Sequence, residues 1–294
     1  MFRHHVKRVV RRGVRSLKGW LAEPPPAPPP TGPQYAYVWL NKIVEEIAAE
    51  PGALQRPAYT WGLVQGAYLA QMLGISRISA LELGVAAGDG LVALDRAARK
   101  VTAALGVGID VYGFDTGQGL PKPADLRDLP NLWAAGDFPM DAAALRSRLM
   151  RAELVLGLVE ATLPVFMASR PSPIGFIAFD LDLYSSTVHA LKLLAGDAAR
   201  LLPRVHCYMD DILGFTFAEF NGERLAIAEF NASHPQRKLS PIFGLRYYVP
   251  QAYFNAMWVD KCYMAHILDH PLYAAYDGTG KPRPWPHHTK PAAG

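Results

Sequence analysis

The sequence predicts an α/β fold: a doubly wound, mostly parallel, Rossmann-like sheet with helices on both faces. Three observations predict it. Apolar runs of strand length alternate with helical patterns, which places strands near 78–83, 109–114, 153–157, 174–179 and 205–209, and helices near 90–105, 141–151, 161–168 and 185–201. A glycine-rich turn, with Gly84, Gly88 and Gly90, joins the first strand to the helix after it. Carboxylates stand at the ends of later strands: Asp115, then Asp180 and Asp182, then Asp210 and Asp211. In doubly wound sheets ligands bind outside the carboxyl ends of the strands, so these groups are expected around one crevice.

Two helical patterns, 35–49 and 60–73, precede the first strand, and Trp61 and Tyr68 on the second are read as packing residues. The turn 84–90 comes next. Glycines let a backbone approach a ligand closely, and a helix start offers unpaired N–H groups, so a nucleotide-like cofactor fits there. The spacing G-x-x-x-G-x-G, with Glu82 two residues before it, departs from the dinucleotide fingerprint G-x-G-x-x-G and argues against a standard NAD site. Asp115 ends the second strand where an acid could accept from ribose hydroxyls. The segment 117–141 is rich in Pro, Asp and Gly and contains Trp133; it reads as a lid over an acceptor or as a fixed surface insertion. Asp180, Asp182, Asp210 and Asp211 would crowd together, and such a cluster stays ionised only when water or a cation compensates it, which points to a divalent metal site. Segments 242–248 and 256–259 are expected to supply the closing strands.

At Glu82-Leu-Gly84-x-x-x-Gly88-x-Gly90 the chain resembles class I S-adenosylmethionine-dependent methyltransferases, in the form used by catechol-type, metal-dependent O-methyltransferases. Tyr112-Gly-Phe-Asp115-Thr-Gly-Gln-Gly-Leu120-Pro121, Gly157-Leu-Val-Glu-Ala-Thr162-Leu-Pro164, Asp180-Leu-Asp182-Leu-Tyr184-Ser-Ser-Thr187 and Asp210-Asp211 resemble, in order, successive motifs of the macrocin O-methyltransferase family, which methylates sugar hydroxyls. The resemblance spans roughly residues 60 to 215. It implies a methyltransferase sheet whose turn 84–90 holds the methionine part of S-adenosylmethionine with Glu82 supporting it, and whose Asp115 holds the ribose. It also implies that Asp180, Asp210 and Asp211 bind magnesium, with Asp182 as a ligand, base or substrate contact. Two departures bear on the acceptor: Leu202-Pro-Arg204 stands where the family often has a glycine pair, and Ala86-Ala87 where it commonly has an aromatic residue.

Composition suits a globular enzyme, with 50% hydrophobic and 19% charged residues among 294. The expected organisation is a basic arm and Pro-rich linker at 1–33, a catalytic domain at 34–260 and a C-terminal extension at 261–294. Residues 1–22 carry seven Lys or Arg and no acid, which leaves 23 bases against 26 acids in the rest of the chain. The pI of 9.0 therefore reflects the arm and not a nucleic-acid-binding body. Phe2, Val6, Val9, Val10, Val14, Leu17 and Leu21 fall at near-helical spacing among those bases, so the arm reads either as an amphipathic helix for an anionic membrane or a protein partner, or as a basic tail; its acid-poor start also resembles a transit peptide. Cys207 and Cys262 are too few for a disulfide framework and imply a reducing, cytoplasmic setting with peripheral membrane contact as an option.

The expected activity is O-methylation, assisted by magnesium, of a hydroxyl on a sugar or other polyhydroxylated metabolite. A phenolic O-methyltransferase and a non-catalytic cofactor-binding or scaffold protein docked through its arm are the alternatives. The general base is open among Asp182, His189, His206 and His234. His266 and His270 have i, i+4 spacing but lack a third ligand and read as packing or surface. His287-His288 lies in a Pro-rich tail.

Overall fold

A computed structural model describes residues 33–50 and 56–275. The basic arm, the Pro-rich run and His287-His288 lie outside the described residues. Two helices come first, α1 (Pro33–Ala48) and α2 (Pro57–Met72); Pro57 sits in the first turn of α2, where its missing N–H costs nothing. The alternating body follows: β1 (Arg77–Leu83), α3 (Asp89–Leu105), β2 (Gly108–Asp115), α4 (Ala142–Arg148), β3 (Glu153–Leu156), α5 (Val159–Ala168), β4 (Ile174–Phe179), α6 (Tyr184–Leu191) and β5 (Leu201–Met209). The chain continues through α7 (Gly222–Ser233), β6 (Arg237–Pro241) and β7 (Cys262–Ile267).

The seven strands form one sheet in the order β3-β2-β1-β4-β5-β7-β6. The first five are parallel, and β7 runs antiparallel to both β5 and β6. β1 and β4 are buried along almost their whole length because both faces of the sheet are covered. One face packs against α1, α2 and α3 through residues such as Val44, Leu63, Leu91 and Phe176, and the other against α5, α6 and α7 through Phe166, Leu191 and Phe230. Trp61 and Tyr68 belong to the first of these cores, Trp61 lying edge-on to His206 at 5.6 Å.

Register fixes where the acids stand. Leu83 pairs with Phe114 and with Phe179, and Phe179 pairs with Met209, so the four central strands end in one row. The next residues are Gly84, Asp115, Asp180 and Asp210, all at one edge of the sheet.

The closing strands differ from expectation. Segment 242–248 is a turn, broken by Gly244 at φ +74 and a 3-10 turn at Leu245–Tyr247, and 256–259 runs into another 3-10 turn, Met257–Lys261. The strands lie just outside these segments, and β7 is inserted between β5 and β6. The sheet thus extends beyond residue 260, where the domain was expected to end. The expected helix 185–201 is α6 followed by two 3-10 turns, Lys192–Ala195 and Ala198–Arg200, around the extended Gly196. His266 lies on β7 against the hydroxyl of Tyr273, and His270 lies beyond the strand, so they share no helical face.

Candidate active site

A cavity of about 620 Å³ opens at the carboxyl edge of the sheet, within the ~300–1,000 Å³ usual for small-molecule sites. Gly84, Val85, Ala86 and Asp115 line one end, and Asp180, Asp182, Asp210 and Asp211 the other. Two walls close it: the segment around Leu120, Trp133 and Phe138, and the start of α5 and α6 with His189. Glu82, Gly88 and Gly90 stand behind the first end and do not face the cavity.

The glycines act by fitting. A Cβ on Gly84, whose φ is +85, would lie 1.7 Å from the Asp180 carbonyl oxygen, so Gly84 is what lets the ends of β1 and β4 meet. A Cβ on Gly90 would lie 1.9 Å from Glu82 Oε1, and one on Gly88 would run into the Leu145 side chain. The turn's amides are already committed: the Gly84 N–H donates to the Phe114 carbonyl, Gly88 to Val85, and Val85 and Ala86 both donate to Asp115 Oδ2 at 2.9 and 3.0 Å. Asp115 Oδ1 takes a third N–H, from Gly117, at 2.7 Å. With four lone-pair positions on a carboxylate and three filled, Asp115 retains one for a ligand while it pins two loops together.

Beneath the turn, Glu82 is 2% exposed and its Oε2 has no hydrogen-bond partner. Burial pushes its pKa up to about 8, partly opposed by Tyr59 and Arg56 beside it. A neutral carboxylic acid at that depth supports the turn without burying a charge.

The opposite end is an unbalanced cluster. Asp180 is driven well above the ordinary carboxylate range by burial and then by Asp210, Asp211, Glu82 and Asp182. Burial with Asp211 and Asp210 pushes Asp182 up to about 8, and burial with Asp210 pushes Asp211 up to about 6. Asp182 has φ +61, a left-handed conformation unusual for a non-glycine residue, and it is held there as its N–H donates to Asp211 Oδ2 at 3.0 Å. The Asp211 N–H in turn donates to Glu223 Oε2 at 3.0 Å. Asp210 Oδ1 accepts from the Tyr208 hydroxyl at 2.7 Å and from the Lys261 ammonium at 3.1 Å. Among the described residues, no three acid, histidine or cysteine side chains are already gathered into a metal cage.

Glu223, Tyr208 and Lys261 were not legible as site residues. Only the alternation of β5, which sends Tyr208 toward the face covered by α2, near Tyr59, offered a signal. The histidines separate. His189 lines the cavity and sits 3.5 Å from Glu160. His206 is buried inside β5 with its pKa pushed down to about 3 by burial and Arg204, and His234 stacks on Phe230. The last two do not line the cavity.

Segment 117–141 is docked. Buried Asp128 accepts from the N–H and hydroxyl of Ser185 and from the N–H of Ala124, and Arg127 donates to the Tyr184 hydroxyl at 2.9 Å.

Neither a family model nor a curated protein matches this chain. Solved structures do. The O-methyltransferase NovP is 14% identical, with 78% of this chain and 98% of that one covered, at a TM-score of 0.50. CalS11, a calicheamicin methyltransferase, is 21% identical over 76% of this chain and 94% of its own, at a TM-score of 0.47. The protein has the class I methyltransferase fold. In open α/β sheets ligands generally bind outside the carboxyl ends of the strands, and the cavity described above lies at that edge.

Proposed function

We propose that the protein is an S-adenosylmethionine-dependent O-methyltransferase that acts on a hydroxyl of a sugar or other polyhydroxylated metabolite, with magnesium held by Asp180, Asp210 and Asp211. The observation that carries this reading is the single cavity with a shaped glycine turn and Asp115 at one end and an uncompensated acid cluster at the other.

The donor set fits the metal. Hard carboxylate oxygens suit magnesium, and acids raised by burial and mutual repulsion are groups that a divalent cation would stabilise in their ionised form. The spread of the carboxylates requires their side chains to turn inward when an ion is held. When bound, S-adenosylmethionine supplies an electrophilic methyl group and magnesium lowers the pKa of an acceptor hydroxyl.

The chain's own residues do the rest. Gly84, Val85 and Ala86 shape the wall on which the methionine part lies, Glu82 and Gly90 back it, and the remaining Asp115 lone pair takes a ribose hydroxyl. Asp182, fixed by its backbone bond to Asp211, faces the acceptor end and takes the hydroxyl proton as the oxygen attacks the methyl carbon. A cation held by the neighbouring acids would keep Asp182 ionised, the form in which a carboxylate can accept that proton. Leu120, Trp133 and Phe138 exclude water from the reacting centre.

The test is turnover of S-adenosylmethionine to S-adenosylhomocysteine against a panel of hydroxylated sugars, with magnesium and after chelation. Asp182→Asn is expected to lower kcat by about 10²–10⁴-fold with cofactor affinity within about twofold of wild type. Full activity in the chelated wild type rejects the metal, and full activity of Asp182→Asn rejects the base.

A further inference from the structure

A second cavity, of about 330 Å³, sits between α5 and α6 and is closed by the turns that lead into β5. That volume is at the lower end of the range for small-molecule sites. It adjoins the catalytic cavity along a shared partition, Val159, Glu160 and His189, which line both.

Its walls divide by chemistry. Leu163, Pro164, Met167 and Leu193 make an apolar side, and Arg170, Lys192 and Arg200 bring three cations to it. Two acids stand there as well, and both are engaged. Glu160 faces His189 Nε2 at 3.5 Å, and Asp197 accepts the Ala199 N–H at 2.9 Å as the cap of the turn Ala198–Arg200. Lys192 donates to His189 Nδ1 at 3.3 Å, so its partner is an imidazole and not a carboxylate. Among the described residues none of the three cations forms an ion pair with an acid.

Arg200 is the anchored member. Its Nη1 donates to the carbonyls of Pro171 and Arg170 at 3.0 and 3.3 Å. Arg170 itself lies just past the end of α5 with φ +58, a left-handed conformation that costs a non-glycine residue strain, so two positive residues are tied together at some expense. The Arg200 Nε, by contrast, is buried and has no hydrogen-bond partner. A buried donor without a partner is costly, and Nε with Nη2 forms the fork that grips an oxyanion by two parallel bonds. The edge of the guanidinium suited to an anion is the edge the protein leaves unoccupied.

We propose that this cavity binds a small phosphate monoester with an apolar body, the body against Leu163, Met167 and Leu193 and the phosphate on Arg200 with Arg170 and Lys192. Three cations around one group favour a phosphate, with a charge of about −1.5 to −2, over a singly charged carboxylate. Across the partition Asp180, Asp182, Asp210 and Asp211 would repel the same group. The occupant is therefore distinct from cofactor and acceptor, and its binding does not rest on the methyltransferase reading.

The experiment is calorimetric titration of the full chain with 1-naphthyl phosphate and with 1-naphthol, in chelator, with and without S-adenosylhomocysteine. Wild type should bind the phosphate about tenfold or more tighter than the naphthol, with or without S-adenosylhomocysteine, and should weaken in high salt. Arg200→Met should lose about tenfold or more. Because Arg200 also ties two carbonyls, a second variant, Arg170→Asn/Lys192→Met, removes two charges while asparagine tolerates the left-handed backbone. It should show a similar loss with the wild-type melting temperature. No binding of the phosphate by wild type at millimolar concentration overturns the proposal. So does equal affinity for naphthol, displacement by S-adenosylhomocysteine, or undiminished binding by the double variant. Failure of S-adenosylhomocysteine to bind at all would count against the methyltransferase reading and leave the phosphate titrations to decide this one.

Discussion

At the β1–β2 end of the cavity nearly every polar group has a partner, whereas at the β4–β5 end carboxylates outnumber the cations beside them. Asp115 takes three backbone N–H groups and the amides of Gly84, Val85, Ala86 and Gly88 are all used. Asp180, Asp182, Asp211 and Glu223, by contrast, all have raised pKa values, and Lys261 is the cation bonded to Asp210. The first end is built to hold a shape and the second to hold a charge. A ligand at the first fills space already defined, while a ligand at the second has to bring positive charge or take up protons.

The largest expected effect comes from breaking the shaped end. Gly84→Ala puts a Cβ 1.7 Å from a backbone oxygen at φ +85, so neither rotation nor a side-chain move relieves it. A loss of about 3 kcal/mol or more is expected, from steric overpacking and left-handed strain together. Gly106→Ala is the control, since its φ is +70 but nothing lies within 4 Å of the added carbon; it should cost about 1 kcal/mol. Denaturant midpoints of the two variants compare strain with and without collision. Equal losses would mean that close approach at Gly84 contributes nothing.

That contrast also explains what the sequence could show. The strand ends, the glycine turn and the acids were legible because each is local: an apolar run, a fixed spacing, a carboxylate just after it. Lys261 and Glu223 were not, since they reach the site from 51 residues and 12 residues away in the chain, across pairings that no local pattern states. Committed amides were also hidden. The turn reads as a set of free donors until Asp115 is seen to take two of them. Segments 242–248 and 256–259 misled for a related reason: Leu245, Trp258 and Val259 are apolar because they pack on the core, not because they pair in the sheet.

A middle-sized effect should follow from the charged end. Lys261 is 14% exposed and occupies Asp210 Oδ1, one of the oxygens assigned to magnesium. Removing its charge with Lys261→Met takes a competing cation out of the cluster. Affinity for magnesium, measured by calorimetry on the protein without acceptor, is expected to rise about tenfold, which corresponds to about 1.4 kcal/mol. Weaker binding would show that the ammonium organises Asp210 for the ion instead of competing with it. Cofactor affinity at the shaped end should not move in either case.

The smallest effect concerns Glu82, which belongs to the shaped end but shares the raised pKa of the charged one. Its pKa rises from 4.5 to about 8 because burial penalises the carboxylate, so across that window the folded protein keeps a proton that the unfolded chain has released. A raised acid contributes stability below its unfolded pKa that is lost progressively as pH rises, fully so above about 8. Glu82→Gln removes that ionisation while keeping the shape beside Gly90. Without magnesium, the variant and wild type should melt within about 1 °C of each other near pH 5, and the variant should melt higher near pH 9, by about 2–4 °C per kcal/mol of recovered stability for a chain of this size. The neighbouring acids Asp180, Asp182 and Asp211 contribute slopes of the same sign to both proteins, so it is the difference between the two curves that reports Glu82. Parallel curves across the range would place an ionised Glu82 beneath the turn, and the cavity would then carry fixed negative charge at both ends.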